Sequence, residues 1–243
     1  MKKVFNNTAI KFIRTGTLIF ASAMLFVSCK KDDTTDNSIS DDEVAVAITE
    51  SVSASSGGLV TQTETSAELA RTTTLTCGAS SDTTISGQNA AGAAITYNYN
   101  LAFNRSLICE SGIPSQFNAN FNGSSSYTAL RMSSDDNSNA QLQITGLQPA
   151  ASSYTINEAY TRSGTQQSTV RFQRSFQSTI SINSTNIVVD KASGKISSGS
   201  ATVSFAGSAS GGYSTTRGGT ISFLGAGQAT LTLDNGSVFN IQW

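Results

Sequence analysis

Ile95-Thr96-Tyr97-Asn98-Tyr99-Asn100-Leu101-Ala102-Phe103-Asn104 alternates large apolar residues with small or polar ones without a break. Successive side chains of a strand point to opposite faces. Ile95, Tyr97, Tyr99, Leu101 and Phe103 therefore share one face, and Thr96, Asn98, Asn100 and Asn104 share the other. One face needs a core and the other needs water, the pattern of an antiparallel strand. The period recurs downstream. Phe117, Ala119 and Phe121 alternate with asparagines, and Leu142 and Ile144 alternate with glutamines. The only two prolines, Pro114 and Pro149, fall between these runs, where loop residues belong.

The hairpins can be given a register. Arg162-Ser163-Gly164, Gly225-Ala226-Gly227 and Asp234-Asn235-Gly236 each offer a three-residue connection with Gly third. That fits a type I turn closed by a left-handed Gly. The first connection would pair Tyr154 with Phe172 and Ile156 with Val170. The second pairs Phe223 with Ala229 and Ile221 with Leu231. The third pairs Leu231 with Phe239 and Ala229 with Ile241. A two-residue Asn235-Gly236 turn would set Leu231 against Asn240, and a one-residue slip flips every side chain.

Ile180 and Ile182, Ile187 and Val189, Ile196, then Val203 and Phe205 supply further short strands. Asp190 to Lys195 is a turn with Gly194 near its end. Roughly ten to twelve strands between Thr72 and Trp243 predict a mainly β domain over 72–243. The expected form is an antiparallel β-sandwich, with a closed barrel as the alternative.

Upstream the style changes. Ser40-Asp41-Asp42-Glu43 has the spacing of a helix capping box. Val44, Ile48 and Val52 then form one apolar stripe at helical spacing. Ser56-Gly57-Gly58 interrupts it, and Leu59 to Ala70 is a second helical candidate despite Thr61, Thr63 and Thr65. Residues 41–71 are read as a short helical hairpin, expected at an edge or end of the β domain. Residues 29–40 are an acidic tether.

The first 28 residues read as an export leader. Met1 to Arg14 carries four bases and no acid, and Thr15 to Val27 is uncharged and mostly apolar. A membrane-spanning helix needs about 20 apolar residues, more than this core offers, so a signal peptide is the better reading.

The core ends at Ser28-Cys29. A small residue before this cysteine resembles the lipobox of bacterial lipoproteins, although Phe26 stands where Leu is usual. That resemblance implies cleavage before Cys29, its acylation, and an N-terminal lipid anchor. Lys30-Lys31-Asp32-Asp33 is similar to the short signal that follows the cysteine in Bacteroidota surface lipoproteins. It implies the outer membrane, surface-exposed, with the periplasmic face as the alternative. Asp33-Thr34-Thr35 and Asp82-Thr83-Thr84 resemble O-glycan acceptors of the same envelopes. Four further stretches resemble small envelope lipoproteins of flavobacterial type. They are Arg131-Met132-Ser133-Ser134, Leu142-x-Ile144-Thr145-Gly146-Leu147, Tyr160-Thr161-Arg162 and Gly219-x-Ile221-x-Phe223-Leu224-Gly225. This likeness implies a fold and a place, and no mechanism.

With Cys29 lipidated, Cys77 and Cys109 remain as an even pair in an oxidising compartment, where a disulfide is the default. The bridge would be worth about 3.5 kcal/mol in the chain-entropy model. A metal site is the alternative, against which stand the missing CxxC and the absence of histidine.

Charge excludes some functions. After Cys29 the chain holds eleven bases against sixteen acids, a net charge of −5. Nine of those acids fall between Asp32 and Glu68 with no base among them. There is no basic run or stripe, so nucleic acid is not an expected partner. Without histidine there is no Ser-His-Asp or Cys-His catalysis. Ser193-Gly194-Lys195 holds the raw material of a Ser-Lys pair but falls in a tight turn. Gly225-Ala226-Gly227 begins like a dinucleotide fingerprint, yet a strand follows where a helix is needed.

Glu158 falls on the inward face of its strand, opposite Ser168 in the hairpin register, and a buried Glu must be paired or neutral. Asp135, Asn137 and Asn139 offer oxygens at alternate positions as a calcium loop begins. Ala140 and Gly146 stand where such a loop needs Gly and Glu, so a solvated loop is the plainer reading. Asn98, Asn100, Asn104, Asn118, Asn120, Gln141, Gln143 and Asn157 suit either a wet face or sugar binding. The sequence thus leads to a lipid-anchored, monomeric, non-enzymatic β domain without a cofactor, serving as a structural or interaction module. Its partner is a protein or a glycan, and a surface glycan-binding protein and a hydrolase are the alternatives.

Overall fold

The computed structural model describes residues 38–72, 76–89, 93, 95–170 and 173–243. The leader, Cys29, Lys30 to Asp33, Asp33-Thr34-Thr35 and Phe172 lie outside the described residues. The described residues belong to one compact unit.

Two helices come first, α1 (Asp41–Val52) and α2 (Leu59–Thr72). The capping box forms as the sequence predicts. Glu43 N–H donates to Ser40 Oγ at 3.4 Å, and Ser40 N–H donates to Glu43 Oε2 at 2.9 Å. Asp41, Asp42 and Glu43 occupy the first turn, where the helix dipole favours negative charge. Val44, Ile48 and Val52 are fully buried, each worth about 1.5–3 kcal/mol relative to exposure. Two of the threonines that argue against α2 have bonding partners of their own: Thr61 Oγ1 donates to the Ala54 carbonyl at 2.7 Å, and Thr63 Oγ1 bonds Glu158.

Ten strands follow: β1 (Ser80–Gln88), β2 (Thr96–Glu110), β3 (Ile113–Thr128), β4 (Met132–Thr145), β5 (Ser153–Ser168), β6 (Ser175–Asp190), β7 (Lys195–Ala209), β8 (Ser214–Gly225), β9 (Gln228–Leu233) and β10 (Val238–Gln242). Each pairs antiparallel with the next, so the order in the sheet is the order in the chain. The mainly β, antiparallel fold with an N-terminal helical segment is as the sequence predicts. The strands form one ten-stranded sheet rather than two separately connected ones. Its edges, β1 and β10, are not joined, so it is not a closed barrel.

The helices sit against the apolar face of this sheet, not at its edge or end. α2 touches β3, β4, β5 and β7, and α1 touches β4 and β5. Lys195 of β7 pairs with Glu64 at 2.7 Å, and Arg217 of β8 pairs with Asp41 at 2.7 Å. Phe239 of β10 also faces α1. One helical hairpin reaches strands from β3 to β10 only because the sheet curls around it. The physical reason is in the residues. α1 buries an apolar stripe, α2 buries Leu59, Val60 and Ala67 beside Gln62, Thr63 and Ser66, and the inward strand positions carry Phe103, Phe121, Ile144, Ile182 and Phe205, all buried.

The strands are longer than the sequence suggests. Ile180 to Ile182 and Ile187 to Val189 belong to the single strand β6, with a register shift between Ser184 and Val188. The inward set changes there from even to odd numbers. A β-bulge adds a residue and flips the phase without ending the strand. β5 shifts alongside, between Ile156 and Glu158. β7 changes from Ile196 to Ala201 and Val203 in the same region.

Turn registers divide likewise. Phe223 pairs with Ala229, Ile221 with Leu231, Leu231 with Phe239 and Ala229 with Ile241, as predicted. Gly236 N–H donates to the Leu233 carbonyl at 2.8 Å and has φ +87°, the left-handed Gly of the third connection. At the second connection the register holds, but Ala226 and Gly227 both have positive φ, a primed turn in place of type I. The first connection does not exist. Arg162, Ser163 and Gly164 lie inside β5, opposite Ser138, Asn137 and Asp136 of β4.

Candidate functional site

The open side of the sheet is floored by α1. Ala45, Val46, Thr49 and Glu50 form the floor of a groove of about 390 Å³. Ile95 and the β3–β4 turn, Ala129 to Arg131, form one wall, and Phe239 and Asn240 of β10 form the other. Leu130 at its lip is 77 % exposed, and Ile95 and Val238 also face water. Arg131 Nη2 stands 3.6 Å from Asp42 Oδ2 across the rim. Burial raises the Glu50 carboxyl above its ordinary pKa, the Arg162 charge opposes this and the Asp136 charge adds to it.

Beneath the groove lies a polar network. Arg162 of β5 bonds Asp136 of β4, with Nε donating to Oδ2 at 2.9 Å. Gln166 Nε2 donates to Asp136 Oδ1 at 2.9 Å and to Ser134 Oγ at 3.1 Å. Ser178 Oγ donates to Gln166 Oε1 at 2.8 Å. Arg162 Nη1 donates to the Glu50 carbonyl at 3.0 Å and to Ser56 Oγ at 3.2 Å. α1 has no basic residue in its last turn. Arg162 supplies from β5 the cation that a helix C-terminus favours and satisfies a carbonyl that lacks an intrahelical partner. Tyr127 covers the guanidinium at 5.5 Å.

Glu158 is inward and buried, as predicted, but its ladder neighbours are Leu142 and Ser184. Its partner comes from α2: Thr63 Oγ1 donates to Glu158 Oε2 at 2.5 Å. Burial pushes the carboxyl up to about 8, partly offset by the Thr63 hydrogen bond. Glu158 Oε1, Ser66 Oγ, Ser184 Oγ and the Tyr160 hydroxyl have no hydrogen-bond partner among the described residues.

The other predicted residues are scattered. Cys77 and Cys109 form the predicted disulfide, with Cα atoms 5.5 Å apart. Asp135, Asn137 and Asn139 are not in a loop. They lie on the exposed face of β4, spaced along an extended strand that does not wrap an ion as a calcium loop does. Among the described residues no group of three His, Cys, Asp or Glu is placed to hold a metal. Ser193 Oγ donates to Asp190 Oδ1 and Lys195 Nζ donates to Glu64 Oε2, so the two serve different carboxylates. The outer amides include mutual pairs, such as Gln116 Nε2 donating to Asn118 Oδ1 at 2.6 Å. A shallow depression of about 500 Å³ lined by small residues lies near Ser163, Thr165, Gln177, Thr179 and Ser208.

Sequence reasoning missed the Arg162–Asp136 pair. A signal was there. Arg162 continues the even-numbered inward set of Tyr154, Ile156 and Tyr160, and Asp136 that of Ala140, Leu142 and Ile144. Reading turns at both places hid it.

No family model, curated protein or solved structure matches the chain. Among the described residues no helix is long and apolar enough to cross a membrane.

Proposed function

We propose that this is a lipid-anchored envelope protein whose β domain is a non-enzymatic interaction module. Residues 1–28 export it, Cys29 carries the lipid, and Lys30 to Asp33 direct it to the outer surface of the outer membrane. It acts as a monomer without a cofactor, and its partner is met by the domain, not by a catalytic centre. The observation that carries the reading is the apolar groove over α1, on a molecule whose outer sheet face is clothed in Ser, Thr, Asn and Gln. The buried carboxylates support it too: Asp136 is bound by Arg162 and Gln166, and Glu158 by Thr63. Labelling cells with an alkyne fatty acid tests the anchor. The wild-type chain takes up label and fractionates with outer membrane, and Cys29→Ser does neither. Unlabelled wild type overturns the anchor, and protease shaving of intact cells distinguishes the outer surface from the periplasmic face.

Glycan binding is the second reading, favoured by the Ser, Thr, Asn and Gln of the outer face around the shallow depression beside Ser163 and Thr179. Of the large apolar side chains exposed among the described residues, Tyr213 is the one aromatic, so stacking surface is scarce. A glycan array probed with the folded full chain decides it, and no sugar retained on any spot ends it.

A further inference from the structure

Strand β10 ends the sheet with an uncharged run, Val238-Phe239-Asn240-Ile241-Gln242, and among the described residues β9 is its one ladder partner. Leu233 N–H donates to the Ser237 carbonyl and Trp243 N–H donates to the Gly227 carbonyl. Odd-numbered residues of this segment thus turn their backbone groups to β9. By the alternation of an antiparallel ladder, Val238, Asn240 and Gln242 turn theirs to the open edge. Exposed edges are commonly protected by charge, proline or a bulge, and β10 has none of these. Its inner side borders the groove over α1.

We infer that the groove takes an extended peptide segment that adds as an eleventh strand to β10, with alternate apolar side chains entering over Ala45, Val46 and Thr49. This rests on the reading of the domain as an interaction module and names the partner's chemistry. Backbone bonds to a sheet edge supply affinity, and pockets for every second side chain supply selection. Ile95 and Leu130 line the groove with β10 and are themselves exposed apolar side chains, surface that the inward side chains of an added strand would cover. Among the described residues the charged lining is Asp42 and Glu50 against Arg131. An inward-facing basic residue is therefore favoured near Glu50, where burial already disfavours the bare carboxylate.

The test uses the purified full chain and a set of heptapeptides that alternate Thr with Val, Leu or Phe, one inward position being Lys. At least one member binds and slows hydrogen exchange at the Val238, Asn240 and Gln242 amides. Its twin, N-methylated on the edge facing β10, loses at least tenfold in affinity, and so does binding to Asn240→Pro. Leu130→Glu, at an exposed tip, weakens binding severalfold with an unchanged melting temperature, so the result does not depend on the proline variant folding. Binding by no member, equal binding of the N-methylated twin, or binding without protection of β10 overturns the inference. If a fluorescent fatty acid instead occupies the groove and is displaced by Leu130→Glu, strand addition fails while the interaction-module reading stands.

Discussion

Arg162 and Asp136 meet on the buried face of the sheet, Nη2 to Oδ2 2.8 Å apart with both side chains almost wholly enclosed. The pair joins adjacent strands, and Arg162 goes on to hold the last turn of α1. Removing one partner leaves an uncompensated buried charge, at a cost of about 3–5 kcal/mol. Arg162→Met and Asp136→Asn should each lower the unfolding free energy measured in urea by about that amount. The double variant should cost less than the sum, since coupled partners depart from additivity by about 0.5–3 kcal/mol. Additive losses would mean that the two do not act as a unit.

Period-2 alternation made the strands legible, and two of three hairpin registers could be fixed by matching apolar partners. The capping box at Ser40 was equally open to reading, because its chemistry is local. What failed was continuity. The phase change between Ile182 and Ile187 looks like the end of a strand, and only neighbouring strands reveal a bulge. Arg162-Ser163-Gly164 looks like a turn because Gly marks turns more often than close packing. The Thr63–Glu158 bond joins residues 95 apart, and no local pattern announces it. The Asp136–Arg162 pair depends on which strands are neighbours, so it emerges only with the topology.

Gly164 shows what its smallness is for. A Cβ there would collide with the Asp135 carbonyl and the Asp136 carboxylate and lie 2.7 Å from Asp136 Cα. Backbone cannot step aside cheaply in the middle of a ladder. Gly164→Ala should cost about 1–3 kcal/mol as overpacking and shift the Asp136 network. Gly236→Ala meets nothing within 4 Å but keeps a φ of +87°, so its cost should be near 1 kcal/mol, the left-handed penalty. Thermal melts of the two variants check the order. A tolerant Gly164 would contradict the continuous β5.

The disulfide guards the opposite edge from the groove. Among the described residues β1 pairs with β2 alone, and its own residues are exposed or only partly buried. Cys77, just ahead of β1, is tied to Cys109 near the end of β2. Without the bond β1 should fray first, because little apolar burial holds it. Cys77→Ser with Cys109→Ser should lose up to about 3.5 kcal/mol globally. Hydrogen exchange should rise first at residues 80–88. Uniform exchange across the sheet would show that the bridge acts only on the unfolded chain.

Glu158 gives the molecule a pH dependence of definite sign. In the unfolded chain its carboxyl titrates near the ordinary 4.5, and in the folded protein burial holds it at about 8. Below pH 4.5 the group is neutral in both states, and its contribution to stability is fully present. Between 4.5 and 8 the unfolded chain releases the proton while the folded chain keeps it. Stability is therefore lost as pH rises, at up to about 1.4 kcal/mol per unit for one proton. Above 8 both states are ionised and the loss stops growing. Glu158→Gln keeps an oxygen for the Thr63 hydroxyl and removes the titration. Glu50, raised in the same direction, remains in both proteins and cancels from their difference. The stability of wild type minus that of Glu158→Gln should fall between pH 5 and pH 8.5, as measured by urea unfolding at each pH. Parallel curves for the two proteins would mean that Glu158 is ionised in the folded state, and that α2 covers a charge instead of a neutral acid.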